Sequence, residues 1–284
     1  MTESSTYFDK RHPLSPNPGL PRDLHPGSVA TEEHRLCYAQ PEVVELLLSD
    51  SLPIPAKSDR ENYYDDRHIE YWISGYVDCM KMKPYFPNGG STLKFLDFGG
   101  ATGRVSRHMT RDAANEIWLC DINVNYIDWV DRFFTRPIHA FQNRILPPLP
   151  IEDGYFDLIS AYSVFTHLDQ TEMMWLLELR RILRPGGILY LTILDENVWG
   201  KFQDPNWHWL LKLLSAGNDE RVLLDKSKEP LLERFVLEYS TLEAYNINTF
   251  LPRHYIQKKW GPLFRKIEFL SDHHNYQTAV VLQR

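Results

Sequence analysis

Short apolar strands alternate with helices across residues 94–194 of this 284-residue chain, and this alternation limits the possible folds more than any other feature. Segments 94–98, 116–120 and 156–161 have the length and composition of buried strands, and helical patterns separate them. Segment 188–194 is an uninterrupted apolar run, which is typical of a strand buried on both faces. The alternation predicts a parallel sheet with helices on both faces and right-handed crossovers.

The pattern changes after residue 195. Helices are predicted at 205–215, 230–239 and 252–260 from apolar residues that recur every three or four positions. Segments 264–270 and 276–282 have the pattern of strands, and the loop between them is short enough for antiparallel pairing. The chain is therefore predicted to form an α/β fold, a mostly parallel sheet whose last strand runs antiparallel.

Charge and cysteine content favour an ordinary globular protein. The net charge of −7 argues against a nucleic-acid backbone as the main partner, because such binding usually needs a basic surface. Three cysteines, Cys37, Cys79 and Cys120, are too few for a disulfide framework and are expected to be buried thiols. The chain has no signal-peptide pattern and no apolar run long enough for a membrane span, so a cytoplasmic location is expected.

The segment Leu96-Asp97-Phe98-Gly99-Gly100-Ala101-Thr102-Gly103-Arg104 joins a strand to a helix. Glycines allow a ligand to approach the backbone, and the start of the helix offers free N–H groups and a positive dipole end. The glycine spacing does not match the dinucleotide fingerprint, and the loop lacks the Gly-Lys-Ser/Thr end of a nucleotide triphosphate loop. A plain strand–helix turn is the alternative.

The pattern Asp-x-Gly-x-Ala-x-Gly resembles the first motif of class I S-adenosylmethionine-dependent methyltransferases, with Ala101 at a position where the family usually has glycine. The loop 149–157 and the segment 160–168, followed by Arg184-Pro185-Gly186-Gly187, resemble later motifs of the same family. The resemblance implies S-adenosylmethionine as cofactor and a seven-stranded Rossmann-like sheet. It covers about residues 65–194 well and is weak at 1–60 and 195–250.

The resemblance also implies which residues bind the cofactor. Asp121 ends the second strand, where its carboxylate can accept hydrogen bonds from both ribose hydroxyls; the alternative is a helix cap. The adenine amine is expected to meet Asn143 in preference to Gln142. The cofactor-binding candidates are Asp97, Gly99, Gly100, Gly103, Asp121, Ile122, Asn143 and Ala161.

The carboxyl end of the fourth strand should face the methyl acceptor, as ligands do in open α/β sheets. His167 is the candidate catalytic base, and packing beside the next helix is the alternative. Tyr63 and Tyr64 are candidates to cover the cofactor, and no metal site is expected. The substrate candidates are Tyr162, Trp199, His208 and His254, although aromatic residues at helical spacing more often belong to the core.

The sequence therefore predicts an enzyme that methylates an oxygen or nitrogen of a small molecule or a sugar-containing metabolite. Residues 1–60 are expected to form an N-terminal extension, for which a lid is one interpretation. Residues 61–284 are expected to form the methyltransferase domain, with a substrate-shaping insertion at about 195–250. Two alternatives stay open: a non-catalytic subunit or scaffold that binds S-adenosylmethionine and, more remotely, an NAD(P)-dependent oxidoreductase. The oligomeric state is not predicted.

Overall fold

The structure is a computed structural model, described here for residues 7–13, 31–86, 92–239 and 247–284. Five prolines between Pro13 and Pro26 predict an extended stretch, which lies outside these residues except for Pro13. The segment Pro87-Asn88-Gly89-Gly90, predicted to end the preceding helix, also lies outside them. The chain divides into two compact units, Met1–Arg144 and Ile145–Arg284. Within the described residues, no helix has the length and apolar character needed to cross a membrane.

Seven strands form one sheet in the order β3-β2-β1-β4-β5-β9-β8, which confirms the predicted fold class. In the first unit, β1 pairs with β2 and β2 with β3, both in parallel. In the second unit, β4 and β5 are parallel, whereas β9 runs antiparallel to both β5 and β8. These strands are β1 Lys94–Phe98, β2 Glu116–Asp121, β3 His139–Gln142, β4 Phe156–Ala161, β5 Leu183–Ile193, β8 Lys266–His274 and β9 Gln277–Gln283.

Two further strands, β6 Phe235–Glu238 and β7 Ile247–Phe250, form a separate antiparallel pair. The helix predicted at 230–239 is therefore wrong. Phe235 lies opposite Phe250 and Val236 opposite Thr249, so pairing with a distant segment overrides the local apolar spacing. Aromatic and β-branched side chains fit such a pleated surface well.

The helices predicted at 205–215 and 252–260 are present, whereas those at 32–38, 196–201 and 220–226 were not predicted. After the glycine loop, the sequence pattern from Arg104 to about Ala114 predicts a helix, but only Ser106–Met109 is helical. The Asn115 side chain donates to the Met109 carbonyl oxygen at 3.2 Å, and polar side chains of this kind compete with helical hydrogen bonds. The helices are α1 Glu32–Tyr38, α2 Pro41–Leu48, α3 His68–Met82, α4 Ser106–Met109, α5 Val124–Phe133, α6 Glu172–Ile182, α7 Glu196–Lys201, α8 His208–Leu214, α9 Glu220–Lys226 and α10 Arg253–Lys259.

A buried carboxylate, Asp50, joins the segment before α3 to the rest of the first unit. It accepts hydrogen bonds from Trp72 Nε1 at 2.7 Å, Arg107 Nε at 3.1 Å and Arg136 Nη2 at 2.6 Å. A buried charge needs such partners, because removing it from water without them is very unfavourable. Residues around Asp50 are thus part of the first unit, while the lid role of residues 1–60 stays a prediction.

Helix α3 packs directly on the backbone that follows the glycine loop. A Cβ atom added at Gly75 would lie 2.0 Å from the Arg104 carbonyl oxygen, so glycine permits this approach. The Arg104 guanidinium then donates to Asp78 Oδ2 at 2.6 Å and to Ser74 Oγ at 3.3 Å. The glycine loop is therefore anchored to α3 on its C-terminal side.

The three cysteines are free and buried, which confirms the prediction. Burial, with a smaller contribution from the nearby Glu33 charge, raises the pKa of Cys37 to about 11. Burial also raises the pKa of Cys79 to about 12 and that of Cys120 well above its ordinary value. All three side chains therefore stay protonated thiols at neutral pH.

Candidate active site

The glycine loop turns sharply at the end of β1 because three of its residues adopt positive φ angles. These angles are 70° at Gly99, 46° at Ala101 and 75° at Gly103. The N–H groups of Gly99 and Gly100 both donate to the Cys120 carbonyl oxygen, at 2.8 and 3.1 Å. The loop is thus fixed to the end of β2.

Asp97 lies in β1, just before this loop, and is 3% exposed. Its Oδ2 atom accepts a hydrogen bond from Ser106 Oγ at 2.8 Å, which ties β1 to the first turn of α4. Thr102 and Tyr71 share a hydroxyl–hydroxyl hydrogen bond of 2.9 Å. The loop is therefore held by side chains of α3 and α4 as well as by β2.

Asp121 is a buried carboxylate at the carboxyl end of β2, only 4% exposed. The Ala101 N–H donates to its Oδ2 at 3.0 Å, and the Asn123 N–H donates to its Oδ1 at 2.9 Å. Burial raises the pKa of Asp121 to about 7, although these two hydrogen bonds act in the opposite direction. Each carboxylate oxygen can still accept a further hydrogen bond.

Asn143 lies next to Asp121 at the end of β3, since its N–H donates to the Asp121 carbonyl oxygen at 3.0 Å. Its side chain is 7% exposed, and among the described residues its Oδ1 atom has no hydrogen-bond donor. Gln142 is occupied differently, because its Nε2 donates to the Ile122 carbonyl oxygen at 3.0 Å and to Asp9 Oδ1 at 3.2 Å. The geometry favours Asn143 over Gln142 as an adenine contact.

These groups fit the chemistry of S-adenosylmethionine. The ribose carries two hydroxyl donors, which suit the two oxygens of Asp121, and the adenine amine is a donor for the buried Asn143 oxygen. The loop from Gly99 to Gly103 presents backbone close to the same strand ends, where ligands bind in open α/β sheets. The first unit thus holds donors and acceptors of the kinds that the cofactor needs.

Residues 96–191, from β1 to β5, match the sequence family described as a methyltransferase domain. The chain contains a methyltransferase domain, and its predicted activity as an S-adenosylmethionine-dependent methyltransferase is confirmed. Its cofactor is S-adenosylmethionine. The nicotinamide-dependent alternative is thereby rejected.

Solved structures similar to this methyltransferase have low sequence identity to it. A methyltransferase from Methanosarcina mazei is 18% identical, with 72% of this chain and 96% of that chain covered and a TM-score of 0.48. One from Mesorhizobium loti is 10% identical, with coverages of 73% and 98% and a TM-score of 0.49. Human N-acetylserotonin methyltransferase, in complex with S-adenosylmethionine, is 19% identical, with coverages of 76% and 53% and a TM-score of 0.49. Curated protein sequences give no match.

In the second unit, β4 ends at Ala161, which is fully buried, and Tyr162 follows it with 9% exposure. The ring of Tyr162 lies 4.9 Å from the ring of His274, centroid to centroid. His167 occupies the short turn Phe165–His167, and its Nδ1 lies 2.7 Å from the Ile247 carbonyl oxygen. The predicted roles of Ala161 and Tyr162 stay predictions.

The other substrate candidates are placed differently. Trp199 is 3% exposed, packs against Phe235 and Phe250, and donates from Nε1 to the Glu229 carbonyl oxygen at 3.0 Å. The structure therefore gives Trp199 a packing role and does not support the predicted acceptor contact. His208 lies on the surface 3.5 Å from Glu220, and His254 is exposed on α10; their predicted acceptor contacts stay untested.

The sequence did not single out Asn123, which contacts Asp121, or Glu61, which contacts Asn123. Asn123 caps α5, and its Nδ2 donates to Glu61 Oε1 at 3.4 Å. The sequence could predict Asn123 as the N-terminal cap of α5. It could not predict the contact between Asn123 and Glu61, because Glu61 is far from Asn123 along the chain. Within the described residues, no group of three or more His, Cys, Asp or Glu side chains is arranged to hold a metal ion.

Cofactor affinity is expected to decrease as the pH falls below about 7, the raised pKa of Asp121. Ribose hydroxyls donate more strongly to an ionised carboxylate than to a carboxylic acid, so binding favours ionisation. By linkage, affinity rises with pH until Asp121 is ionised in the free protein, by at most about tenfold per pH unit for one proton. Calorimetric titration with S-adenosylhomocysteine across this range measures the effect. The Asp121→Asn variant should lose the dependence, and a pH-independent wild type would contradict the assignment.

Proposed function

We propose that this methyltransferase acts on a hydroxyl or amine of a small molecule or a sugar-containing metabolite, with His167 as the proton acceptor. One observation carries the proposal: the 2.7 Å distance from His167 Nδ1 to the Ile247 carbonyl oxygen. A carbonyl oxygen only accepts, so Nδ1 carries the hydrogen and Nε2 of the neutral ring is the basic nitrogen. The backbone thus selects the tautomer that a general base needs.

The protonation state of His167 supports the same role. Burial lowers its pKa below the ordinary value, although the hydrogen bond to Ile247 acts in the opposite direction. The ring is therefore neutral at physiological pH and able to take a proton from an acceptor group. Methyl transfer to a hydroxyl or a protonated amine requires such a proton acceptor.

The turn that carries His167 is held by the region predicted to shape the substrate site. Thr249 Oγ1 donates to the Leu168 carbonyl oxygen at 2.8 Å, and the Arg234 guanidinium donates to Asp169. Strand β7 therefore fixes both the imidazole and the backbone beside it. A general base has to be oriented in this way, because efficient proton transfer depends on geometry.

The polar and aromatic groups after β4 suit a small acceptor. Ser163 Oγ and Gln277 contact each other through two hydrogen bonds of 2.9 and 3.2 Å, and Tyr162 packs beside His274. A few fixed polar groups among aromatic rings are typical of small-molecule sites. The net charge of −7 favours such an acceptor over a nucleic acid.

S-adenosylmethionine supplies the methyl group on a positively charged sulfur. The glycine loop and Asp121 hold the cofactor, whereas the turn from Phe165 to His167 provides the base. Because the transfer is an in-line displacement, the main work of the protein is alignment and exclusion of water.

The test is to incubate the protein with methyl-labelled S-adenosylmethionine and fractionated cell extract. Label is expected in low-mass metabolites, and His167→Asn should reduce the rate by about 100-fold or more. Asparagine keeps an N–H donor for the Ile247 carbonyl oxygen but removes the base, so folding and cofactor affinity should be unchanged. Label found only in nucleic acid or protein, or full activity of His167→Asn, would contradict the proposal. If the wild-type protein binds the cofactor but transfers no label to any fraction, the result would support the non-catalytic alternative.

A further inference from the structure

We propose that Glu61 is a second carboxylate that binds the ribose of the cofactor, beside Asp121. The proposal adds a residue to the cofactor site of this methyltransferase and does not depend on the identity of the acceptor. It assigns a binding role to the segment between the early helices and α3, which the sequence motifs leave without a function.

Asn123 connects the two carboxylates. Its backbone N–H donates to Asp121 Oδ1 at 2.9 Å, and its side-chain Nδ2 donates to Glu61 Oε1 at 3.4 Å. The Asn123 side chain is itself fixed, because its Oδ1 accepts from the Asn125 N–H at 3.0 Å and caps α5. One rigid residue therefore places Glu61 and Asp121 at the same edge of the site.

The electrostatics are consistent with a shared ligand. The negative charge of Glu61 adds to burial in raising the pKa of Asp121, so the two groups act on each other. A vicinal diol offers two hydroxyl donors, and two neighbouring carboxylates can each accept one of them. The Asn143 side-chain oxygen, buried and lacking a donor in the described chain, lies on the adjacent strand and marks the same place as a ligand site.

The backbone around Glu61 is held in an unusual conformation. Its φ angle is 50°, and those of Asn62, Tyr64 and Asp65 are 59°, 63° and 42°. Non-glycine residues rarely adopt such angles, and where they do so the surrounding structure must enforce them, often at ligand-binding sites. Lys57 Nζ contributes by pairing with Asp66 Oδ2 at 2.9 Å.

The same segment is tied to the glycine loop. The Arg60 guanidinium is buried, donates to the Asp65 carbonyl oxygen and lies 4.7 Å from the centroid of the Tyr71 ring. The Tyr71 hydroxyl in turn shares a 2.9 Å hydrogen bond with Thr102 Oγ1. Glu61 is thus connected to the cofactor site through Asn123 on one side and, through Arg60 and Tyr71, on the other.

The first experiment compares Glu61→Gln with wild type in calorimetric titration with S-adenosylhomocysteine. We expect affinity to fall about tenfold, the usual range for one hydrogen bond to a charged acceptor. Glutamine keeps an oxygen acceptor for Asn123, so the local fold is retained. The matched control is Glu45→Gln, an exposed glutamate of α2, which should bind as wild type does.

Two further readouts separate ribose binding from a structural role. The 2′-deoxy and 3′-deoxy forms of S-adenosylhomocysteine should both bind wild type more weakly than the parent ligand does. For the form that lacks the hydroxyl bound by Glu61, Glu61→Gln should cause no further loss of affinity. The pH midpoint of binding should also shift downward in Glu61→Gln, because one of the two carboxylates that act on Asp121 becomes neutral while Asp97 is unchanged.

Equal affinity of Glu61→Gln and wild type, or an equal further loss with both deoxy forms, would overturn the proposal. Because wild-type binding is measured in the same series, failure of the cofactor site itself would be seen separately. Failure of the proposed acceptor chemistry would leave all these titrations unchanged.

Discussion

Replacing Asp121 by alanine is expected to reduce affinity for S-adenosylmethionine and S-adenosylhomocysteine by about 100-fold or more, since hydrogen bonds to a charged acceptor contribute about 1.5–3 kcal/mol each. The substitution removes the acceptor for two ribose hydroxyls. It also removes the oxygens that receive the N–H groups of Ala101 and Asn123, so the glycine loop loses one of its links to β2 and keeps those to the Cys120 carbonyl oxygen. Calorimetric titration of the folded variant measures the change.

The matched control is Asp112→Ala, which removes an exposed carboxylate of the same unit, beside the N–H of Ala114. It should leave cofactor affinity unchanged. If Asp121→Ala bound either ligand as tightly as wild type, the assignment of the ribose site to the end of β2 would be wrong.

Replacing Gly75 by alanine is expected to destabilise the protein by about 3 kcal/mol, the upper part of the usual range for overpacking. The added Cβ would lie 2.0 Å from the Arg104 carbonyl oxygen, so backbone has to move. The gain of about 1 kcal/mol in helix propensity is too small to offset this. Arg104 follows the glycine loop, and cofactor affinity should therefore fall too. Urea denaturation and S-adenosylhomocysteine titration measure the two effects.

Gly200 provides the control, because it is exposed in α7 and a Cβ added there would meet no atom within 4 Å. Gly200→Ala should stabilise the protein by about 0.5–1 kcal/mol through helix propensity alone. A Gly75→Ala variant that is as stable as Gly200→Ala would show that α3 moves away from Arg104 without loss.

The strands, and the positions of Asp121 and Asn143 at the strand ends, were predictable because their signals are local. Buried parallel strands are short apolar runs, and a glycine loop follows the first of them. Once β1 and β2 are recognised, the end of β2 must lie beside that loop in a parallel sheet, which brings Asp121 to the Ala101 N–H. Asn143 follows in the same way at the end of β3.

The remaining features depend on contacts between distant segments. Residues 235–238 pair with 247–250 instead of continuing a helix, and no local pattern distinguishes the two outcomes. Trp199 has the aromatic character of a pocket residue, yet Phe235 and Phe250 enclose it. Glu61 approaches Asn123 from a part of the chain without a recognised motif.

The three buried thiols make this methyltransferase convenient for site-specific fluorescent labelling. Maleimide dyes react with thiolates, and Cys37, Cys79 and Cys120 are buried with raised pKa values, so the folded chain should take up little dye. A Tyr63→Cys variant, at a position that is 39% exposed and two residues from Glu61, would then carry the dye at this one site. Cofactor titrations could be followed optically in the natural cysteine background, and delayed labelling of the native thiols would report unfolding.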